Sequence, residues 1–289
     1  MGVYGRTAIM SLRDSESFVS RGATFQPKAR RRPRSCGRFS GGGYNRLVTF
    51  LPVLIFLAAL LYASVGHAGA SGYLAAMALV GVPPEMMKPT ALVLNLLVSS
   101  IGTVAFAHAG AFSWRLFWPF ALGAAPLAYL GGALTLPGIW YKPLVGVVLL
   151  FASVRLLQGK LTDAENPQPP PAWACVLIGA AIGFLAGLTG TGGGIFLTPL
   201  LLLMGWAKTK EAAGTSVAFI LVNSLAGLAG KPSSLAHLPP TLWLWAIAAV
   251  AGGSLGALLG SKRLPPPSLR RLLALVLLIA AVKLILAIK

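Results

Sequence analysis

The chain has 289 residues, of which 56% are hydrophobic and only 10% are charged. A soluble domain carries roughly a quarter charged residues, whereas residues 86–162 and 212–289 of this chain contain no carboxylate at all. This composition excludes a water-soluble globular protein. It predicts an all-α polytopic membrane protein, because helices satisfy their own backbone hydrogen bonds inside a bilayer.

The net charge of +18 is concentrated near the amino terminus, where ten of the 24 Lys and Arg residues precede residue 47. Residues 1–46 show no apolar periodicity. We therefore expect a basic disordered tail, which either binds anionic lipid headgroups or reflects a start of translation placed too far upstream. The other basic residues are spread over loops and segment ends, which argues against a nucleic-acid partner. The two cysteines offer neither a disulfide framework nor metal-ligand spacing, so we expect no metal and no cofactor.

Apolar segments follow in two sets, separated by a polar, proline-rich linker over residues 159–172. The first set covers about 47–65, 72–82, 89–108, 115–134 and 142–158, and the second covers about 173–188, 193–205, 212–230, 241–260 and 269–287. Crossing the hydrocarbon core takes about 20 helical residues, a length that the second segment of each set lacks. The pattern predicts about eight full spans plus two short segments.

The two sets resemble each other in order and content, which indicates an internal duplication with repeats over 47–158 and 173–289. In each set a long segment is followed by a glycine-rich break, a short segment, and a loop with one acid, Glu85 or Glu211. A helix with small polar residues comes next, PTALVLNLLVSSIG in the first set and GTSVAFILVNSLAG in the second. An odd number of crossings in each half would give inverted repeats, which we favour, and an even number would give parallel ones.

The glycine-rich breaks are the candidate functional site, because non-helical backbone in a bilayer is tolerated only where protein buries it or where it lines a wet cavity. A helix that begins near the midplane presents free N–H groups and a positive dipole end, which together bind an anion without a buried cation. The second break, GLTGTGGG, supplies Thr189, Gly190, Thr191, Gly192, Gly193 and Gly194. The first break supplies His67, Ser71 and Gly72, and the helices that follow the breaks supply Thr90, Asn95, Ser216 and Asn223.

Simpler roles compete with ligand binding at several of these positions. Small residues also allow close packing between transmembrane helices, the role we prefer for Gly102, Gly123, Gly227 and Gly256. GTGGG does not fit packing, which needs small residues at every fourth position. His67 is explained equally by packing and by ligand or proton binding, and interhelical hydrogen bonds explain Asn95 and Asn223 as well as cavity lining does.

Four charged residues near the third segments have either an ordinary structural role or a role in transport. Lys88 and Lys210 could attract an anion, but we prefer ordinary interfacial lysines. Glu85 and Glu211 are candidates for proton coupling, with solvated loop acids or helix-start caps as the simpler explanation.

The motifs resemble those of a known family. The stretch SVGHAGASGYLAAMALVGVPPEMMKPTALVLNLLVSSIGTVAF resembles the opening repeat of the sulfite exporter TauE/SafE family of membrane permeases, and GFLAGLTGTGGGIFLTPLLLL with AAGTSVAFILVNSLAGL resembles its second repeat. The resemblance covers about residues 47–289. It implies a duplicated multi-pass fold that moves small anions, mostly sulfur-containing oxoanions and organosulfonates, without fixing substrate or direction. His67 stands where many relatives have glycine, which leaves room for a more selective or proton-sensitive first site.

These features predict a secondary transporter, with export favoured, that carries a small sulfur-containing oxoanion or organosulfonate across the inner (plasma) membrane by alternating access. The expected partners are the lipid bilayer and an anion such as sulfite, thiosulfate or sulfoacetate, with homo-oligomerisation left open. No phosphate-cradling GxxxxGK[ST] motif is present, so a gradient or a separate subunit must supply any energy.

Two other functions remain as alternatives. A passive anion channel would use the same breaks. An intramembrane serine hydrolase would use Ser71, which lies in a stretch of GxSG form, with His67 or His108 as its base. The second half has a break but no corresponding GxSG, so a duplicated site fits binding better than catalysis and we expect no enzyme.

Overall fold

The computed structural model describes residues 42–134, 150, 153–154, 157, 167–168 and 170–286 of the chain. Every regular element in this part is helical, which confirms the predicted all-α class. Most of the predicted basic tail, most of the predicted segment 142–158 and most of the linker 159–172 lie outside the described residues.

The helices follow the predicted apolar segments closely. They are α1 (Gly42–Ser64), α2 (Ala70–Leu79), α3 (Pro84–His108), α4 (Trp114–Ala133), α5 (Ala172–Thr189), α6 (Gly194–Leu203), α7 (Thr209–Ala229), α8 (Leu242–Leu258) and α9 (Pro266–Leu286). A 3₁₀ helix (Pro232–His237) connects α7 to α8, and a π-helical turn (Leu259–Arg263) extends α8. The early start of α3 has a local cause, because proline is favoured in the first turn of a helix.

Helices in the described part of the chain are long and apolar enough to cross a membrane in five places. These spans are Glu85–His108, Trp114–Ala133, Ala172–Thr189, Thr209–Ala229 and Leu242–Arg263. Large apolar side chains point outward from them, among them Leu122, Leu177 and Ile247, each about 60% exposed. Such a surface suits lipid rather than water. The predicted total of about eight full spans stays a prediction.

The two short segments form helices of only ten residues, α2 and α6. At 1.5 Å per residue each is about 15 Å long, about half of the hydrocarbon thickness. Helix α2 begins directly after Gly69, and Gly81 lies two residues beyond its end. Helix α6 has Gly193 and Gly205 at the corresponding positions, and all four glycines have positive φ angles. Left-handed glycines therefore interrupt the helical conformation on both sides of each short helix.

Two pairs of helices pack with their backbones in direct contact. A Cβ atom added at a glycine of these pairs would lie between 1.9 and 2.3 Å from a carbonyl oxygen of the partner helix. On α5 the glycines are Gly179, Gly183 and Gly187, facing Phe120, Ala124 and Ala128 of α4; on α8 and its π-helical turn they are Gly252, Gly256 and Gly260, facing Phe56, Leu60 and Ser64 of α1. Residue numbers rise together in both pairs, so α4 runs parallel to α5 and α1 runs parallel to α8.

Helices α3 and α7 cross the centre of the fold in opposite directions. A Cβ added at Gly102 would lie 2.7 Å from the Val217 side chain, and one added at Gly227 would lie 3.6 Å from Leu92. The order of these contacts along the two helices is reversed. Helices α3 and α7 are therefore antiparallel.

The buried apolar residues form two cores, and each core takes its main contribution from the other half from one helix. One core contains residues of α1, α2 and α3 together with Trp245 and Ala249 of α8. The other contains residues of α5, α6, α7 and α9 together with those of α4. Each core thus combines helices from both sides of the linker.

The predicted packing role of the helix glycines is confirmed at Gly102, Gly123 and Gly256, where an added Cβ would lie within 2.7 Å of a neighbouring helix. Gly227 differs, because its own Cβ would make only ordinary contacts. Its carbonyl oxygen, however, would lie 2.3 Å from a Cβ at Gly132. Gly227 therefore serves close packing through its backbone.

The packing contacts predict a difference between two Gly→Ala substitutions. Gly183→Ala should lower the free energy of unfolding by about 1–3 kcal/mol, because its methyl group meets a rigid carbonyl. Gly227→Ala is the matched control in another helix and should change it little. Thermal unfolding of the purified protein in detergent measures both, and equal effects would contradict the assigned packing.

Candidate functional site

The break between α5 and α6 is built from glycines in the left-handed conformation. Gly190, Gly192 and Gly193 have φ angles of 72°, 77° and 84°, which other L-residues rarely adopt. Gly192 is enclosed as well, since an added Cβ would lie 2.6 Å from Ile220 Cγ2 and 3.0 Å from Asn95 Nδ2. Glycine is therefore required at these three positions by the backbone conformation, and at Gly192 the lack of space for a side chain requires it as well.

Helices α3 and α7 both present polar side chains to this break. Asn223 Nδ2 of α7 donates a hydrogen bond to the carbonyl oxygen of Gly192 at 3.3 Å. Asn95 of α3 lies against the same glycine. Ser224 of α7 is also close, because its Oγ would be 3.2 Å from a Cβ added at Gly192. The amide and hydroxyl groups thus converge on the residues that precede α6.

The break between α1 and α2 reaches the same place through His67. Its ring is buried, with Nε2 at 3.5 Å from Thr198 Oγ1 in α6. The ring edge approaches the first residue of α6, because a Cβ at Gly194 would lie 3.4 Å from His67 Cδ2. The two breaks, which are far apart in the sequence, therefore meet at the amino terminus of α6.

The two threonines of the second break are linked to each other. The hydroxyl oxygens of Thr189 and Thr191 are 2.7 Å apart, and Thr189 also donates to the carbonyl oxygen of Leu185 at 2.8 Å. Thr189 is thereby fixed to the last turn of α5. Thr191 lies between Gly190 and Gly192, and within the described residues the only hydrogen-bond partner of its hydroxyl is Thr189.

Several buried polar atoms around the breaks have no hydrogen-bond partner within the described part of the protein. They are His67 Nδ1, Thr90 Oγ1, both side-chain polar atoms of Asn95, Thr215 Oγ1, Ser216 Oγ, Asn223 Oδ1, Ser224 Oγ and Ser261 Oγ. Leaving one such group unpaired costs about 1–3 kcal/mol. All but Ser261 lie on α3, on α7 or in the first break, and such a concentration in a native structure is typical of a site for water or a polar ligand.

Ser71 and Gly72 have a different setting from the other predicted site residues. A Cβ at Gly72 would lie 2.7 Å from Ala58 Cβ, so Gly72 serves the packing of α2 onto α1. Ser71 shares a hydrogen bond with Tyr62 of α1. The described contacts thus associate Ser71 and Gly72 with the α1–α2 hairpin, whereas His67 reaches α6.

The amino termini of both short helices are left without a side-chain cap by the residues that the structure describes. The first N–H groups of a helix have no partner inside the helix, and together they carry about half a positive charge. At α6 these groups lie beside the imidazole of His67 and close to the two asparagines. The arrangement provides donors and a positive field for an anion, without a buried cation.

Sequence reasoning did not place Thr198, Thr215 or Ser224 in the site. Thr198 is a hydroxyl residue in the otherwise apolar stretch GIFLTPLLLL, which is the one signal that could have singled it out. Thr215 and Ser224 stand on α7 beside predicted site residues. Ser224 reaches the break at Gly192, and the hydroxyl of Thr215 is among the unpaired buried groups.

Lysines of both halves cap helix carboxyl termini. Lys88 Nζ donates to the carbonyl oxygen of Gly132 at 3.2 Å, and Lys210 Nζ donates to that of Ser261 at 3.0 Å. A cation at this end of a helix interacts favourably with its dipole. The acids Glu85 and Glu211 lie in the first turns of α3 and α7, where the dipole favours a negative charge.

Apolar membrane-length helices interrupted by paired polar breaks define a polytopic membrane protein of the transporter class. The family comparison agrees, since the model of the sulfite exporter TauE/SafE family matches residues 51–284. The chain belongs to this family.

Named relatives support the same class. The chain is 44% identical over 239 residues to the probable membrane transporter protein y4hK of Sinorhizobium fredii, covering 81% of this chain and 97% of that protein. It is 25% identical over 206 residues to the probable membrane transporter protein YunE of Bacillus subtilis, covering 62% of this chain and 72% of that protein. No solved structure is significantly similar to the chain.

The geometry of the second break predicts a further difference in stability. Gly192→Ala should be more destabilising than Gly81→Ala, although both glycines have φ near 77°. The left-handed strain of about 1–2 kcal/mol is common to both, whereas only Gly192 lacks space, Gly81 having no atom within 4 Å of an added Cβ. Thermal unfolding in detergent compares them, and equal losses would show that the break is not enclosed.

Proposed function

We propose that the protein is a secondary transporter that exports a small sulfur-containing oxoanion or organosulfonate across the inner membrane. The anion binds at the amino terminus of α6, where the two breaks meet. Backbone N–H groups of the GTGGG motif and the hydroxyl of Thr191 donate hydrogen bonds to its oxygens. The amides of Asn95 and Asn223 complete the site from α3 and α7.

The observation that carries this proposal is the set of unpaired buried polar atoms around an uncapped helix terminus. Such groups are costly unless a ligand or water pairs with them. The nearest carboxylates of the described residues stand in the first turns of α3 and α7 rather than at the breaks. The field at the site therefore favours an anion over a cation.

The directions of the helices support a transport mechanism built on inverted repeats. Antiparallel α3 and α7, together with the parallel pairs α4–α5 and α1–α8, are the directions expected if the second half is the first half turned over in the membrane. The two cores, each with one fourth helix from the other half, would then rock against each other. The proposed site draws on residues next to both cores, since Ile220 of one core and Ile195 of the other lie beside the second break.

The chemical class of the substrate rests on the family name and on the donors. Sulfite, thiosulfate and sulfoacetate each present several oxygens, which suit a ring of hydroxyl, amide and backbone donors. The direction of export likewise comes from the description of the family. The hydrolase alternative gains no support, because His67 directs Nε2 to Thr198 and its ring edge to Gly194.

Flux into proteoliposomes of the purified protein tests the proposal. Labelled sulfite, thiosulfate, sulfate and sulfoacetate are measured with and without the same anion inside. We expect flux of at least one sulfur-containing anion, accelerated by internal substrate, because a carrier returns faster when loaded. Flux without such acceleration would indicate a channel, and no flux of any of the four would contradict the proposed substrate class.

Removing the hydroxyl of Thr191 should slow this flux. We expect Thr191→Val to lower it about tenfold or more, the equivalent of one lost hydrogen bond to a charged group. Thr103→Val is the matched control, because the one partner of the Thr103 hydroxyl among the described residues is the carbonyl oxygen of Ser99 in its own helix. Unchanged flux in Thr191→Val would place the anion elsewhere.

The unpaired amide of Asn95 predicts a separation of stability from transport. Asn95→Leu should leave the free energy of unfolding unchanged or raise it, since it removes an unpaired buried polar group. The same variant should lose flux. Ser100→Ala, on the exposed side of α3, should alter neither. A large loss of stability in Asn95→Leu would mean that this side chain has a structural role instead.

A further inference from the structure

A separate cavity of about 240 Å³ lies where α3 begins and where α4 and α7 end. Its floor is formed by the backbones of Gly132 and Gly227, which touch each other. Its polar lining consists of Glu85, Lys88, Lys231, Ser234 and His237. We call the space enclosed by these five side chains the lysine vestibule.

The charges of the lysine vestibule are unbalanced. Lys88 is partnered, in the described part of the chain, by the neutral carbonyl of Gly132, and the charge of Lys231 repels its own. Two ammonium groups and an imidazole therefore face one carboxylate, that of Glu85. An anion placed between the lysines would relieve their mutual repulsion.

The lysine vestibule shares a wall with the break between α5 and α6. The stem of Lys88 lies on Gly190, where an added Cβ would be 2.9 Å from Lys88 Cγ. Gly190 is followed directly by Thr191. The Lys88 side chain therefore contacts both the vestibule and the break that leads into the proposed transport site.

We propose that the lysine vestibule is a second anion site, in which a soluble oxoanion is held between Lys88 and Lys231 with Ser234 and His237 as further donors. The inference extends the proposed function to an anion that waits outside the breaks. Lys88 exchanges its bond to Gly132 for one to the anion. The carboxylate of Glu85 keeps binding weak, which lets the anion leave toward the break.

The volume and the exposure of the lining fit this role. A water molecule occupies about 30 Å³ in the liquid, so the cavity admits a sulfate or a small sulfonate together with water. Lys231 and His237 are exposed, whereas Lys88 is half-buried at the inner end. The two lysine charges thus lead from the surface inward, an arrangement that raises the local concentration of anions.

Labelling with pyridoxal 5′-phosphate tests the vestibule on the whole protein in lipid-free detergent. This anionic aldehyde condenses with a lysine amine, with loss of water, and borohydride reduces the imine to a stable amine that mass spectrometry locates. We expect Lys231 or Lys88 to react about tenfold faster than the exposed Lys208 and Lys262, because the vestibule concentrates anions. Sulfate should slow the vestibule reaction, at constant ionic strength set with chloride, and leave the other two lysines unaffected.

Two variants with opposite expected effects on sulfate binding make the test specific. Lys88→Gln should abolish protection of Lys231 by sulfate, and Glu85→Gln should lower the sulfate concentration needed for half protection. Lys210→Gln is the matched control, because Lys210 caps a helix carboxyl terminus in the other half. It should leave the labelling and protection of Lys231 unchanged. If Lys88→Gln fails to fold, Glu85→Gln in the exposed first turn of α3 still tests the proposal, because it should lower the sulfate concentration needed for half protection.

The outcomes separate this inference from the proposed function. Equal labelling of all four lysines, or labelling that sulfate does not slow, would overturn the vestibule even if the protein transports sulfur-containing anions. Protection only by phosphatidylglycerol vesicles would overturn it as well, since the occupant would then be a lipid headgroup. Protected labelling without any flux would retain the vestibule and contradict the proposed function.

Discussion

The structure depends on one constraint, which is that a peptide group in hydrocarbon must be paired or enclosed. Two breaks in the helical ladder violate this rule locally, and the rest of the fold encloses them. Glycine-lined contacts bring α4 onto α5 and α1 onto α8 until backbones touch. This closeness holds α3 and α7 at the centre, where their polar side chains reach the breaks. Close packing of the outer helix pairs thus encloses the polar groups at the two breaks.

The scarcity of acids has a second consequence for the fold. Lysines inside the protein find few carboxylates, so Lys88 and Lys210 interact with helix carboxyl termini instead. Such pairing compensates a partial charge with a full one. Positive charge that no carboxylate of the described residues neutralises therefore remains at these two helix ends.

Much of the fold could be predicted from the sequence, because length and hydropathy determine where helices lie in a membrane. The short segments, the breaks before them and the packing role of Gly256 all follow from local patterns. Contacts between distant segments could not be predicted in this way. The convergence of Asn95 and Asn223 on Gly192 depends on the antiparallel crossing of α3 and α7, and the meeting of His67 with Gly194 depends on the contact of the first break with α6.

The site was predictable in part for the same reason. The GTGGG motif can be singled out from the sequence alone, because three consecutive glycines do not fit helix packing, which needs small residues at every fourth position. Thr198 does not, because a hydroxyl in an apolar helix has several ordinary explanations. Gly72 carries the same residue type as Gly192 but packs onto α1. Only the three-dimensional neighbours distinguish a glycine that lies against polar side chains, such as Gly192, from one that packs against an apolar helix, such as Gly72.

The exchange of helices between the two cores also constrains how the chain is made. Helix α1 packs against glycines that begin at Gly252, which is translated about 190 residues after Ser64. At about 5–20 residues per second, the wait lasts roughly 10–40 s. During that time the face of α1 that ends up against α8 is exposed to lipid or to the insertion machinery. The first half is thus a biosynthetic intermediate that completes its own core only when the second half arrives.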